Sequence, residues 1–157
     1  MIIHTNSFRY FWEVYENNEY SFVFDKLRVL DLGCSEGSFS LWILPRAERI
    51  WAVDMDQNNI NNFNKTIKDN DIKSVTTVVD RVTNLSEFMS GHSIDRVDLL
   101  KIDIEGDEYE IFERDDFPSD RITTIVGEYH GDDLGDILTK RGYRYIDLPN
   151  KHFIARK

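Results

Sequence analysis

The chain has 157 residues, 41% of them of hydrophobic types, with one cysteine and a net charge of −10 from 19 basic and 29 acidic side chains. That length predicts one domain, large enough to bury a core without disulfide staples. The acidic balance, with a pI near 4.8, argues against bulk attraction to nucleic acid or an anionic membrane, and no Lys/Arg cluster offers a local basic groove.

Cys34 stands alone and can form no intramolecular disulfide, which points to a reducing compartment. No apolar run reaches the ~18 residues of a membrane span. Met1 to Tyr10 lacks the apolar centre of a secretory signal. The expectation is a cytoplasmic chain with one domain over 1–157: an N-terminal helical cover (1–26) and a catalytic core (27–157).

Phe8, Phe11, Trp12 and Tyr15 recur at helical spacing and predict a first helix with an aromatic face, which packs on the sheet or covers an acceptor. Leu27 to Leu32 reads as a buried strand closing at Gly33, and Ser38 to Leu44 as a helix stopped by Pro45. Arg49 to Val53 is a second strand. Ile60, Phe63 and Ile67 predict a helix over Gln57 to Asp69 with a polar outer face. Val75 to Val79 is a third strand, Leu85 to Met89 a short helix, and Val97 to Ile104 a fourth strand. Asp107 to Arg114 reads as a helix that buries Tyr109, Ile111 and Phe112 in part. Ile122 to Val126 is a fifth strand, and Leu134, Ile137 and Leu138 mark a helix capped by Gly142. Tyr143 to Leu148 and His152 to Arg156 are separated by three residues, too few for a crossover helix, so they should pair antiparallel. The remainder alternates strand and helix and implies a parallel sheet covered on both faces. A doubly wound, mostly parallel seven-stranded α/β sheet finished by an antiparallel hairpin is the layout of class I, Rossmann-like methyltransferases.

Val29 to Gly37 is a strand running into a glycine turn and then a helix. Gly33 and Gly37 permit a sharp bend and close approach of a ligand. The helix start after them offers unpaired N–H groups to a carboxylate. Asp31 is placed to hold an ammonium group, directly or through water. A dinucleotide fingerprint wants glycine where Ser35 stands, which weakens that reading. Asp54 ends the second strand, where a carboxylate can accept ribose hydroxyls. Met55 could lie against an adenine, and Asp80, ending the third strand, could reach its amino group. A plain tight turn and solvated strand-end acids are the bland alternatives.

Lys101, Asp103 and Glu105 alternate along the fourth strand, so period 2 puts all three on one face. Such charges are costly in a buried strand unless paired or functional. The cost falls at the carboxyl end, where open α/β sheets bind ligands. Asp103 and Glu105 are therefore expected at the rim of a site, Asp103 also as a cofactor contact, with Lys101 deeper. Glu128 and His130 follow the fifth strand with the same alternation, and Asp103, Glu105, Glu128 and His130 are expected to form one cluster. His130 is the first candidate general base, with Glu105 or Asp103 next. A divalent metal held by carboxylates and imidazole is the less favoured alternative, since the spacing matches no compact zinc motif. A structural Lys101 ion pair, a Glu105 helix cap and a solvated His130 are the non-catalytic readings. Cys34 has no evident base beside it and reads as a small packing residue.

Asp98 to Glu108, D-L-L-K-I-D-I-E-G-D-E, resembles the signature of the FkbM-type methyltransferase family. Val29 to Gly33 and Val53-Asp54 resemble its cofactor segments, with Asp54 where Glu is common. Thr83 to Phe88 resembles its short segment before the signature, and Val126 to His130 its fifth-strand ending. The likeness runs over about Val29 to His130. It implies S-adenosyl-L-methionine as cofactor and O-methylation of a hydroxyl on a small molecule or saccharide. The acidic charge balance, and not the likeness, leads to the expectation of no nucleic-acid and no membrane partner. The short segments before the first strand and before Leu85 leave an open site, or one that a second copy completes as a homo-oligomer. The alternatives are an N-methyltransferase acting on a protein or amine, a cofactor-binding module without activity, and a dehydrogenase of like topology.

Overall fold

The computed structural model describes residues 1–2, 4 and 26–157. The aromatic stretch Phe8, Phe11, Trp12 and Tyr15, and with it the helical cover expected over 1–26, lies outside the described residues. The chain divides into two compact units, Met1–Arg81 and Val82–Lys157. Seven strands contribute to a mixed sheet.

The first unit contains β1 (Leu27–Leu32), α1 (Ser38–Ile43), β2 (Ala47–Asp54), α2 (Gln57–Asp69) and β3 (Val75–Val79). β2 pairs in parallel with β1 on one side and β3 on the other. β1 is buried along nearly its whole length, as a parallel strand inside a sheet is, and Val29 and Leu30 have no exposed surface. Asp56 caps α2 by accepting from the Asn58 N–H at 2.7 Å. Ile60 and Phe63 carry the buried stripe of that helix, as their spacing predicts. Burying Phe63 contributes on the order of 2–3 kcal/mol.

The second unit runs α3 (Leu85–Gly91), β4 (Val97–Ile102), α4 (Glu108–Glu113), β5 (Ile122–Glu128), α5 (Gly135–Lys140), β6 (Arg144–Asp147) and β7 (His152–Arg156). β4 and β5 are parallel. β7 lies antiparallel between β5 and β6, so the last two strands form the expected hairpin, closed by a short 3-10 turn at Pro149–Lys151. Asn84 caps α3 by accepting from the Glu87 N–H at 3.1 Å. Gly142 ends α5 as expected: its N–H donates to Thr139 O at 3.0 Å and the next N–H, Tyr143, to Leu138 O at 3.1 Å. Gly127 is needed for a different reason. A Cβ there would come within 2.0 Å of the Ile102 carbonyl oxygen, so only glycine lets β4 and β5 approach at that level.

One boundary differs from the expectation in a way that matters. β4 stops at Ile102, two residues before Ile104. Asp103 and Glu105 therefore lie in the loop beyond the strand, and Glu105 has a left-handed backbone (φ 59°). Strand alternation does not place them; the loop does. The reason is the glycine that follows, Gly106 with φ 111°, which lets the chain turn into α4 before another strand residue can pair.

Candidate active site

The turn between β1 and α1 is built around β2. The N–H groups of Gly33 and Cys34 both donate to the Val53 carbonyl at 2.9 Å, tying the turn to the adjacent strand. Gly37 precedes α1 with φ 89°, and a Cβ on it would stand 2.3 Å from the Phe63 ring. Both facts require glycine. Ser35, where a dinucleotide loop would carry its middle glycine, is itself left-handed (φ 49°). Its N–H donates to Asp54 Oδ2 at 2.8 Å.

Asp54 thus faces the turn, as the sequence spacing suggested. Its Oδ1 accepts from the Asp56 N–H at 2.8 Å and from the Asn59 amide at 3.2 Å. An ionised carboxylate has about four acceptor positions, and three are taken. One position on Oδ2 remains for a hydroxyl, and a second opens only when Asn59 yields. Beside it, Asp80 follows β3, exposed, with its N–H donating to the Asp54 carbonyl at 3.1 Å. Met55 and Val79 are the exposed apolar residues at these two strand ends, 69% and 42% exposed.

Asp31 is placed otherwise than expected. It has no exposed surface, and its Oδ2 accepts from the Ser40 hydroxyl at 2.6 Å. It braces β1 against α1. Cys34 is buried, in keeping with a packing role.

The second unit holds the charged cluster. Lys101 is buried at 6% exposure, and its Nζ lies 3.7 Å from Asp103 Oδ2. This is the deep ion pair considered from the sequence. Asp103 Oδ1 and Glu105 Oε2 stand 3.8 and 3.5 Å from Nε2 of His130. One donor atom from each of Asp103, Glu105 and His130 lies within 4.8 Å of the others, a set that suits a hard divalent cation.

Two features depart from the expected cluster. Glu128 is not gathered with these three. It ends β5 opposite His152 and its Oε2 lies 3.9 Å from that imidazole. His130 lies two residues beyond the end of the strand, so strand alternation does not carry its side chain to the face of Glu128. The other feature is Glu108, absent from the sequence-derived candidates. It opens α4 at 1% exposure, and its Oε1 lies 3.2 Å from His130 Nδ1. Its signal was present in the sequence: Glu108, Ile111 and Phe112 are spaced i, i+3, i+4, which puts a carboxylate on the buried face of the helix.

Burial is the largest single influence on His130 and disfavours its charged form. The Glu108 hydrogen bond and the charges of Glu108, Asp103 and Glu105 together outweigh it, and the imidazole pKa lies above its ordinary value. The cluster can therefore accept a proton and hold it as an imidazolium among carboxylates.

The fold has close counterparts among solved structures. A precorrin-6y C5,15-methyltransferase from Geobacter metallireducens superposes with a TM-score of 0.64 at 17% identity, over 86% of this chain and 82% of that one. TrmK of M. capricolum, solved with S-adenosyl-homocysteine, gives a TM-score of 0.65 at 15% identity over 98% and 70% of the two chains. An rRNA methylase from Streptococcus thermophilus gives 0.59 at 11% identity over 85% and 86%. At such identities the likeness establishes the class I methyltransferase fold. No curated protein matches the sequence. Among the described residues no helix is long and apolar enough to cross a membrane. Residues 10–145 match the family described as the methyltransferase FkbM domain, and the chain belongs to that family of methyltransferases.

Proposed function

We propose that the chain transfers a methyl group from S-adenosyl-L-methionine to a hydroxyl of a small molecule or saccharide, with His130 taking the acceptor's proton. The observation that carries this reading is the imidazole of His130 set against Asp103, Glu105 and Glu108. In the reaction the acceptor oxygen attacks the methyl carbon, the C–S bond breaks in line, and its electron pair stays on sulfur. The O–H proton passes to Nε2 of His130. Most of the acceleration comes from positioning, and the base adds to it. The surrounding carboxylates stabilise the imidazolium that forms.

The donor half of the reading rests on the first unit. Asp54 and Asp80 supply acceptors for ribose and an exocyclic amine, and Met55 and Val79 supply apolar contact for an adenine ring. A dinucleotide is disfavoured because the Ser35 N–H, which would face a pyrophosphate, is spent on Asp54. Gly33 and Gly37 shape the bend. A net charge of −10 supports a small or saccharide acceptor over a nucleic acid.

Thermal shift tests the donor. At 100 times its Kd, a ligand of the native state adds about 2.7 kcal/mol. For a domain of this size that corresponds to roughly 5–10 °C in Tm. S-adenosyl-L-methionine and S-adenosylhomocysteine should each produce such a shift, and NAD none. A shift with NAD alone would overturn the donor assignment. Release of S-adenosylhomocysteine across a panel of sugars and polyhydroxylated natural products, against matched amines, tests the acceptor. Turnover confined to amines would replace the hydroxyl with a nitrogen.

A further inference from the structure

We infer that Glu108 is a positioning residue whose buried carboxylate fixes hydrogen on Nδ1 of His130 and so leaves the Nε2 lone pair for the acceptor. The inference deepens the reading of His130 as base and rests on it.

The geometry has two parts. Glu108 Oε1 accepts from the Ile104 N–H at 3.0 Å. The loop backbone therefore sets the position of this oxygen independently of the histidine. The same oxygen lies 3.2 Å from Nδ1. An ionised carboxylate can only accept, so a neutral imidazole satisfies the contact in one way, with its hydrogen on Nδ1. In water a neutral imidazole prefers the opposite tautomer, with hydrogen on Nε2, which is useless to a base that must act through Nε2. Glu108 is 1% exposed, so its carboxylate is shielded from competing water. On the other edge of the ring, Nε2 stands 3.5 Å from Glu105 and 3.8 Å from Asp103. Neither distance consumes the nitrogen in a short hydrogen bond.

The remaining oxygen, Glu108 Oε2, is buried without a hydrogen-bond partner among the described residues. A group needed only to cap the Ile104 N–H could be a neutral side chain and avoid burying a charge. A charge is retained where it does something a neutral group does less well, here selecting a tautomer and holding the imidazolium that forms during transfer.

Nitrogen-15 NMR on the intact, histidine-labelled protein tests this without donor or acceptor. His130 is assigned as the signal missing from His130→Ala, and spectra are taken where its ring is neutral. The expected result is a pyrrole-type shift at Nδ1 and a pyridine-type shift at Nε2. In Glu108→Ala the two types should exchange, because the acceptor is gone. Glu108→Gln, whose carbonyl can still accept, should restore the wild-type pattern at least in part. Wild-type protein already protonated on Nε2 would overturn the inference, and that spectrum needs no variant to fold. A Glu108→Ala spectrum identical to wild type would overturn it as well, leaving Glu108 only a cap for Ile104. Because no methyl transfer is involved, these outcomes stand apart from success or failure of the methyltransferase assays.

Discussion

The two units of this chain present their carboxylates in opposite ways. In the first, Asp54 and Asp31 are tied to their own surroundings: Asp54 to the N–H groups of Ser35 and Asp56 and the amide of Asn59, Asp31 to the Ser40 hydroxyl. In the second, Asp103 and Glu105 meet His130 at 3.5–3.8 Å, while Glu108 beneath them is anchored by the Ile104 N–H. One region has spent its polar groups on holding a shape; the other has left charges close together and incompletely paired. A cradle must be rigid before the ligand arrives, since ordering it afterwards costs affinity. A proton-transfer site needs an unspent lone pair and charges that favour the protonated product.

The largest effect should come from the second region. His130→Ala should lower turnover about 10²–10⁴-fold while leaving S-adenosyl-L-methionine affinity unchanged, read by steady-state kinetics and calorimetry. Undiminished turnover would remove His130 from the mechanism. The mirror experiment is Gly37→Ala, which meets the Phe63 ring and a left-handed backbone. Strain and overpacking together should cost about 2–4 kcal/mol of stability in denaturant unfolding. A near-neutral result would mean that the first region is softer than its hydrogen bonds indicate. Asp54→Ala should weaken donor binding about 10-fold by calorimetry, and also loosen the turn, since each hydrogen bond to a charged group contributes roughly 1.5–3 kcal/mol.

Smaller effects sharpen the comparison. The raised pKa of His130 means that the base is neutral, and turnover high, only above a pH higher than for free imidazole. The acidic limb of the kcat/KM profile should sit above the ordinary histidine value of ~6.5. By the same linkage the protonated ring stabilises the fold at low pH, and that contribution is lost as pH rises through the folded-state pKa. Glu105→Gln removes a carboxylate that is 80% exposed, so it should lower the limb only slightly, and less at high salt. The smallest expected effect is that of a chelator, which should leave turnover unchanged. A chelator-sensitive, metal-restored activity would assign Asp103, Glu105 and His130 to a cation instead.

Periodicity, turn chemistry and spacing in the sequence determined the order of strands and helices, down to the bounds of β1, α2, β3 and β7. They also brought Asp54 to the glycine turn and called for glycine at position 37, because local backbone preference and the burial of alternate faces act within a few residues. Tertiary structure decided the rest. It ended β4 at Ile102, so a loop and not a pleat aims Asp103 and Glu105. It turned Asp31 inward to Ser40, set Glu128 beside His152, and brought Glu108 under His130. Those pairings join residues 9 to 24 positions apart, and which polar group finds which partner depends on packing between elements that no period in the sequence records.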